Sequence, residues 1–171
     1  KFRYREYVGS DLSFLEVKFK TNKGKTMKSR IKAWAGENEF NTTDTTFLNE
    51  KTPFDVSNLQ HVLTNNFSRI TLVSNTDKER LTIDFHLQFA KNDNIKQLAN
   101  LVIAEVKQEN VNRASQVMKI LKDFSIREAS FSKYATGCAL LNPQLKYNKF
   151  KKNLLYLNKT HKNGNIWNTA N

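Results

Sequence analysis

The chain has 171 residues, of which 39% are hydrophobic, enough for one domain with a substantial core. Its 28 Lys and Arg against 16 Asp and Glu give a formal net charge of +12. Such a balance favours a polyanionic partner: nucleic acid, a phosphorylated metabolite, polyphosphate or an anionic membrane. No apolar run approaches the ~18 residues of a transmembrane segment. The single cysteine, Cys138, excludes an internal disulfide framework and fits a reducing compartment, so we expect a cytoplasmic location.

The first part of the chain alternates between polar and apolar side chains, as half-buried antiparallel strands do. We predict strands over Lys1–Val8, Ser13–Lys20 and Thr26–Ala33, joined by turns. In the second strand Leu15, Val17 and Phe19 form the apolar face. The opposite faces of the three strands carry the basic residues Arg3, Arg5, Lys18, Lys20, Lys28, Arg30 and Lys32, together with Glu16.

The chain begins at Lys1 rather than at Met, and the first residues already have the pattern of a strand interior. We therefore expect that an N-terminal portion, including further strands, is missing from this chain.

Further along, the pattern predicts three more strands and three helices. Because the strands are mostly adjacent in sequence and the helices are not regular crossovers, we predict an antiparallel α+β architecture. The expected strands are Phe67–Ser74, Arg80–Phe89 and Leu98–Gln108, with a loop at Lys91–Ile95. The expected helices are Thr52–Leu63, Arg113–Phe124 and Tyr147–Leu157. Gly36–Thr52 is predicted to be irregular, Ser130–Cys138 a loop or short strand, and 158–171 a flexible tail.

Seven short motifs follow one another across most of the chain. They are Phe2-Arg-Tyr-Arg-Glu-Tyr, Phe14-Leu-Glu-Val-Lys-Phe-Lys, Lys25-Thr-Met-Lys-Ser-Arg, Phe67-Ser-Arg, Glu79-Arg-Leu-Thr-Ile-Asp, Ile103-Ala-Glu-Val-Lys and Phe131-Ser-Lys-Tyr. As an ordered set they resemble the VTC (vacuolar transporter chaperone) domain. That domain is a polyphosphate polymerase module among the triphosphate tunnel metalloenzymes of the CYTH-like superfamily.

The resemblance implies one domain over residues 1–171, built as an eight-stranded antiparallel β-barrel, the triphosphate tunnel, with helices packed outside. Six strands are predicted here, so the remaining pair would precede Lys1. The implied activity is the metal-dependent transfer of the γ-phosphate of ATP to a growing polyphosphate chain inside a basic tunnel. The partners would be ATP and polyphosphate.

The resemblance also implies the site residues. Arginine binds phosphate oxygens bidentately and lysine adds a point charge. A carboxylate suits Mn²⁺ or Mg²⁺, and Glu105 resembles the metal ligand of the family, whereas Glu16 could pair with a lysine and orient it. The implied catalytic, phosphate-binding residues are Arg3, Arg5, Lys18, Lys28, Arg30, Arg69 and Lys133. Ser132, Lys20, Lys107 and Arg80 are the further substrate-binding candidates.

Other interpretations stay open at this point. A charged face on any single strand is ordinarily just solvated, and only its repetition over several strands favours a binding surface. A tunnel triphosphatase that hydrolyses nucleotide or inorganic triphosphate and a non-catalytic polyphosphate-binding module are the alternatives. Nucleic acid is not expected as a partner, because few aromatic residues interleave with the basic strands. The oligomeric state and a fused or partner membrane domain are left open.

Overall fold

A computed structural model describes residues 1–34 and 40–160 of the chain. The chain divides into two compact units, Lys1–His61 and Val62–Asn171. Among the described residues, the first unit contains a three-stranded antiparallel sheet and the second a four-stranded one. The predicted α+β class with antiparallel sheets is therefore confirmed. The closed tunnel stays a prediction, because the described strands form two hydrogen-bonded sheets and no closed barrel is found among them.

The first unit is built around a central strand with a neighbour on each side. Strands β1 (Phe2–Tyr7), β2 (Leu12–Lys20) and β3 (Thr26–Lys32) pair in the order β1-β2-β3, which confirms the three predicted strands. The apolar side chains of alternate positions turn to one side, where Leu15 and Val17 are buried. They form a core with Ala33, Phe47, Leu48 and Val56.

Helix α1 (Thr42–Lys51) covers this core, although the sequence pattern predicted an irregular segment there. That prediction was wrong for these residues because local capping starts the helix. The Asn41 side chain accepts a hydrogen bond from the Asp44 amide at 2.9 Å, and the Asp44 carboxylate accepts one from the Asn41 amide at 3.3 Å. Asp44 also accepts a hydrogen bond from the Tyr4 hydroxyl at 2.8 Å, which ties the helix to β1.

The predicted helix at 52–63 was also wrong. The structure has only a short 3₁₀ turn there, at Val56–Asn58. The Asp55 carboxylate accepts hydrogen bonds from both the amide and the hydroxyl of Ser57, which favours a local turn over a continuous helix. Residues 36–39 of the segment predicted as irregular lie outside the described residues.

The second unit is organised around one long strand. Strands β4 (Thr64–Val73), β5 (Glu79–Lys91), β6 (Asn94–Leu98) and β7 (Ile103–Gln108) are antiparallel to their partners. β4 pairs with one edge of β5, while β7 and β6 pair with successive halves of the other edge. The strand predicted over Leu98–Gln108 begins only at Ile103, because Leu98 ends β6 and residues 99–102 connect it to β7. The predicted loop at 91–95 is a tight hairpin, because Asn92 adopts the positive φ of 50° that such turns require.

The alternation predicted along the fifth strand is interrupted. A register shift lies between Asn66 and Ser68 on the neighbouring strand, and His86 has a φ of 54°. As a result, the buried side chains change from Thr82 and Asp84 before this point to Leu87 and Phe89 after it. The His86 side chain lies at this irregularity and is exposed.

Three α-helices lie in the described part of the second unit: α2 (Gln116–Asp123), α3 (Lys133–Leu141) and α4 (Lys151–Thr160). The first and last agree with prediction, but α3 replaces the expected loop or short strand. Ser132 begins α3 by accepting a hydrogen bond from the Ala135 amide at 3.3 Å. Residues 158–160 of the predicted tail belong to α4, and residues 161–171 lie outside the described residues. No helix in the described part of the chain has the length and apolar character needed to cross a membrane.

Gly137 allows α3 to lie close to β5. The buried residues Leu87 and Phe89 pack against Ala139, Leu140 and other apolar side chains of the second unit. A Cβ atom at position 137 would come within 2.6 Å of Phe89 Cδ1 and 3.1 Å of Leu63 Cδ2. Glycine therefore permits a contact between helix and sheet that alanine would obstruct.

The variant Gly137→Ala tests this packing. In an open helix the change would stabilise the fold by about 1 kcal/mol. Here we expect a loss of about 1–3 kcal/mol, because the added methyl group overpacks the core. Urea unfolding measures the difference, and the same change in a Phe89→Leu background should cost less. A stabilised Gly137→Ala protein would contradict the close packing.

Candidate functional site

The register of the first sheet brings its basic residues together. Glu16 lies opposite Arg3 on one side and Arg30 on the other, while Lys18 lies opposite Lys28. Paired residues of neighbouring strands share a face, with strands about 4.8 Å apart and same-face positions about 7 Å apart along a strand. One face of the sheet thus carries the predicted residues Arg3, Arg5, Lys18, Lys20, Lys28 and Arg30.

Glu16 is the carboxylate in the middle of this basic face. It is 8% exposed, its Oε2 accepts a hydrogen bond from Arg3 Nε at 2.7 Å, and the same oxygen lies 2.6 Å from Arg3 NH2. Arg5 NH1 lies 3.9 Å from Oε1. Burial acts to raise the pKa of Glu16, but the hydrogen bond and charge of Arg3, with Arg5 and Lys18, hold it below its usual value. The partner is therefore an arginine and not the lysine suggested by the sequence.

Lys18, unlike Glu16, lies among charges of its own sign. Burial and the nearby charges of Arg3 and Lys28 lower the pKa of its ammonium group. Like charges directly opposite each other on neighbouring strands destabilise a sheet. A bound polyanion would relieve this repulsion between Lys18 and Lys28.

Aromatic rings orient two of the arginines in this unit. The Arg30 guanidinium carbon lies 4.6 Å from the centre of the Phe14 ring, and that of Arg5 lies 5.5 Å from the centre of the Tyr7 ring. Arg5 NH1 also donates a hydrogen bond to the Tyr7 hydroxyl at 3.2 Å. Stacking leaves the edges of a planar guanidinium group directed away from the ring, which suits binding of phosphate oxygens.

In the second unit the cations of Arg69 and Lys133 meet at the carboxylate of Asp84, which is 1% exposed. Its Oδ1 accepts a hydrogen bond from Arg69 Nε at 2.5 Å, and its Oδ2 accepts one from Arg69 NH2 at 2.7 Å. The Lys133 ammonium group also donates to Oδ2. Burial acts to raise the pKa of Asp84, but the hydrogen bonds from Arg69 and Lys133 hold it below its usual value.

Asp84 is the residue that sequence reasoning missed as part of the site. It ends the motif Glu79-Arg-Leu-Thr-Ile-Asp, and the resemblance assigns no role to it. Its meaning depends on the register that places it opposite Arg69 and on the helix that brings Lys133 to it. Phe67 lies beside the same cations, with its ring centre 5.2 Å from Arg69 Cζ and 4.8 Å from Lys133 Nζ.

The remaining predicted residues of the second unit lie on the paired strands β5 and β7 or at the start of α3. Glu105 lies opposite Thr82, and Arg80 opposite Lys107. Lys107 Nζ is 3.2 Å from Glu105 Oε1. Ser132, which caps α3, is adjacent to Lys133 in the chain. The face thus carries Arg69, Arg80, Glu105 and Lys107, with Ser132 and Lys133 on the helix.

A metal ion would find hard oxygen atoms around Glu105. Thr82, opposite Glu105, has a buried Oγ1 with no hydrogen-bond partner among the described residues. In the part of the chain that the structure describes, no three His, Cys, Asp or Glu side chains are grouped so that they could hold a metal ion together. Mg²⁺ is commonly held by one or two carboxylates together with substrate phosphates and water, so this sparse oxygen set fits such an ion.

The pairing of Glu16 with Arg3 predicts a pH-dependent stability. Because the pKa of Glu16 is lowered in the fold, its contribution is complete above the unfolded value of about 4.3 and is lost as the pH falls through the folded value. We expect Glu16→Gln to lower the free energy of unfolding by about 1.5–3 kcal/mol near neutral pH. The difference from the wild type should shrink below about pH 4.

Urea unfolding across this pH range measures the difference. Glu109→Gln is the matched control, because Glu109 makes an exposed ion pair with Lys78 at 2.8 Å. It should change stability little at any pH. If the difference in free energy of unfolding between wild type and Glu16→Gln stayed constant with pH, the assigned pair of Glu16 and Arg3 would be contradicted.

Comparison with known proteins identifies the family to which these features belong. The family model of the VTC domain matches residues 1–142. Neither the curated proteins nor the solved structures contain a significant match to the chain. The matched region includes both basic faces and the start of α3, so the resemblance of the ordered motifs is confirmed. This chain belongs to the VTC domain family.

Proposed function

We propose that this chain is a metal-dependent polyphosphate polymerase that transfers the γ-phosphate of ATP to the end of a growing polyphosphate chain. The VTC domain family is linked in general to polyphosphate metabolism. The observation that carries the proposal is the basic face of strands β1 to β3, where Lys18 and Lys28 face each other. Such crowding is unfavourable by itself and becomes favourable with a bound polyanion.

The chemistry requires little from the protein beyond positioning and neutralisation. The transferred phosphoryl group carries spread negative charge, and preorganised cations stabilise it in the transition state. The end of the acceptor chain is already largely ionised at neutral pH, given a second phosphate pKa of about 6. A general base is therefore unnecessary. In this proposal Arg3, Arg5 and Arg69 bind phosphate oxygens, while Lys18, Lys28 and Lys133 add charge.

Mn²⁺ or Mg²⁺ is the proposed cofactor, with Glu105 and the Thr82 hydroxyl as the protein oxygens that would hold it. When bound, the ion supplies Lewis-acid neutralisation of phosphate oxygens. Arg80 and Lys107 form the next residue pair on the same face of the sheet, and in this proposal they bind the phosphate oxygens of the same ligand. The closed tunnel stays part of the proposal, since alternate side chains of a barrel strand face the lumen and the basic side chains of β1 to β3 occupy alternate positions.

A non-catalytic polyphosphate-binding module is the second candidate. Such a module would bind the polymer through the same basic faces without turning over ATP. A tunnel triphosphatase ranks lower, because Glu16 is occupied by Arg3 instead of offering a carboxylate to a metal ion. The three candidates differ in their products, and one assay can separate them.

The test is to incubate the full chain with ATP and Mn²⁺ and to separate the products by size. We expect long polyphosphate chains, and about 100-fold less product from Glu105→Gln, the size of loss typical for removing one electrostatic stabiliser. Glu109→Gln, an exposed carboxylate elsewhere in the unit, should retain activity. Orthophosphate without polymer would favour the triphosphatase. Binding of polyphosphate without turnover would favour the binding module.

The facing lysines Lys18 and Lys28 predict that removing one of the two charges stabilises the fold but weakens anion binding. Lys28→Gln should raise the free energy of unfolding by about 0.2–1 kcal/mol, because it removes the repulsion with Lys18. The same change should weaken binding of inorganic tripolyphosphate about tenfold, through loss of a charge-assisted contact.

Urea unfolding and isothermal titration calorimetry measure the two effects. Lys23→Gln is the control, since Lys23 lies in the turn between β2 and β3 and the change in net charge is the same. Equal losses of affinity in both variants would mean that only net charge matters, which would contradict a site on this face.

A further inference from the structure

We propose that Asp84 is a positioning residue, which holds the Arg69 guanidinium and the Lys133 ammonium groups side by side for a phosphate ligand. The inference rests on the proposed function, because it assigns the two cations to a phosphate-binding site. It goes further by giving a task to a negatively charged group within that site.

The exposure of the three side chains is the first argument. The Asp84 side chain is 1% exposed, while the side chains of Arg69 and Lys133 are 28% and 19% exposed. A ligand arriving from solvent therefore meets the cations and not the carboxylate. The three groups together carry a net charge of +1, so they still attract an anion.

The topology of the contacts is the second argument. Arg69 belongs to β4, Asp84 to β5 and Lys133 to the first turn of α3. Asp84 lies 15 residues from Arg69 and 49 residues from Lys133 along the chain. One carboxylate thus brings together cations that local structure alone would leave apart. Phe67 contacts both cations and restricts their orientations further.

Preorganisation explains why an acidic residue would serve an anion site. Arginine and lysine side chains each have about 2 kcal/mol of rotamer entropy, and two cations side by side repel each other. The two hydrogen bonds of the Arg69 guanidinium to Asp84 fix its plane, and the bond from Lys133 fixes its terminal nitrogen. Ordering these groups before the ligand arrives reduces the cost of binding.

The sign of one affinity change separates positioning from a purely structural ion pair. If Asp84 acted on the ligand only through its negative charge, Asp84→Asn would tighten binding of an anion. If Asp84 only stabilised the fold, the folded variant would bind as the wild type does. Positioning predicts that the folded variant binds more weakly despite its additional positive charge.

The experiment is isothermal titration calorimetry of inorganic tripolyphosphate with the full chain at fixed ionic strength, well below the unfolding temperature of each variant. We expect about tenfold weaker binding for Asp84→Asn, equivalent to about 1.4 kcal/mol, and partial recovery for Asp84→Glu. Glu109→Gln, which makes the same charge change outside the site, should not weaken binding. Unchanged or tighter binding by Asp84→Asn would overturn the proposal.

A measurement on the wild type alone covers the case in which Asp84→Asn does not fold. Nitrogen-15 relaxation of the Arg69 Nε–H group should give an order parameter near the rigid value of about 0.85 before any ligand is added. A value below about 0.6 would mean that the guanidinium group is mobile and would overturn the proposal.

The polymer assay distinguishes this inference from the proposed function. A wild type that binds tripolyphosphate in an Asp84-dependent way but makes no polymer contradicts the polymerase and supports positioning. A wild type that makes polymer, together with an Asp84→Asn variant of equal affinity, overturns positioning alone. A wild type that does not bind tripolyphosphate overturns both.

Discussion

Repulsion between neighbouring cations is the constraint on which the basic faces of this protein depend. Each sheet places several Lys or Arg side chains on one face, and each has a buried carboxylate among them, Glu16 in the first and Asp84 in the second. Both carboxylates keep a lowered pKa despite burial, because hydrogen-bonded cations surround them. They order part of the positive charge without cancelling it, since basic residues outnumber them on both faces.

In the first unit each strand has an apolar face, which must be buried, and a polar, basic face, and this difference determines how the rest of the unit packs. Leu15 and Val17 must be removed from water, and α1 removes them by packing Phe47 and Leu48 against the sheet. The bond from Tyr4 to Asp44 joins that helix to β1, which also carries Arg3. The helix therefore supports the strand from its apolar side, opposite the basic face.

Much of the sheet structure was predictable, because a period of two is a local property of the chain. β1, β2, β3 and most of β5 were expected at nearly their observed bounds, and so was the face of each basic residue in the first unit. Helices α1 and α3 were missed, since their weak apolar periodicity hid them. Single capping residues, Asn41 and Ser132, begin them, and their buried faces become clear only against a sheet.

The sequence by itself determined the family, the α+β class and the identity of the basic residues. The order of the motifs and the alternation of polar and apolar residues depend only on residues that are close together in the chain. Register and helix placement were decided only by the tertiary structure, because they depend on which distant side chains pack together. Arg3 was paired with Glu16, and Asp84 with both Arg69 and Lys133, by contacts that span many residues. Those pairings turn a list of charged residues into ordered groups with a defined geometry.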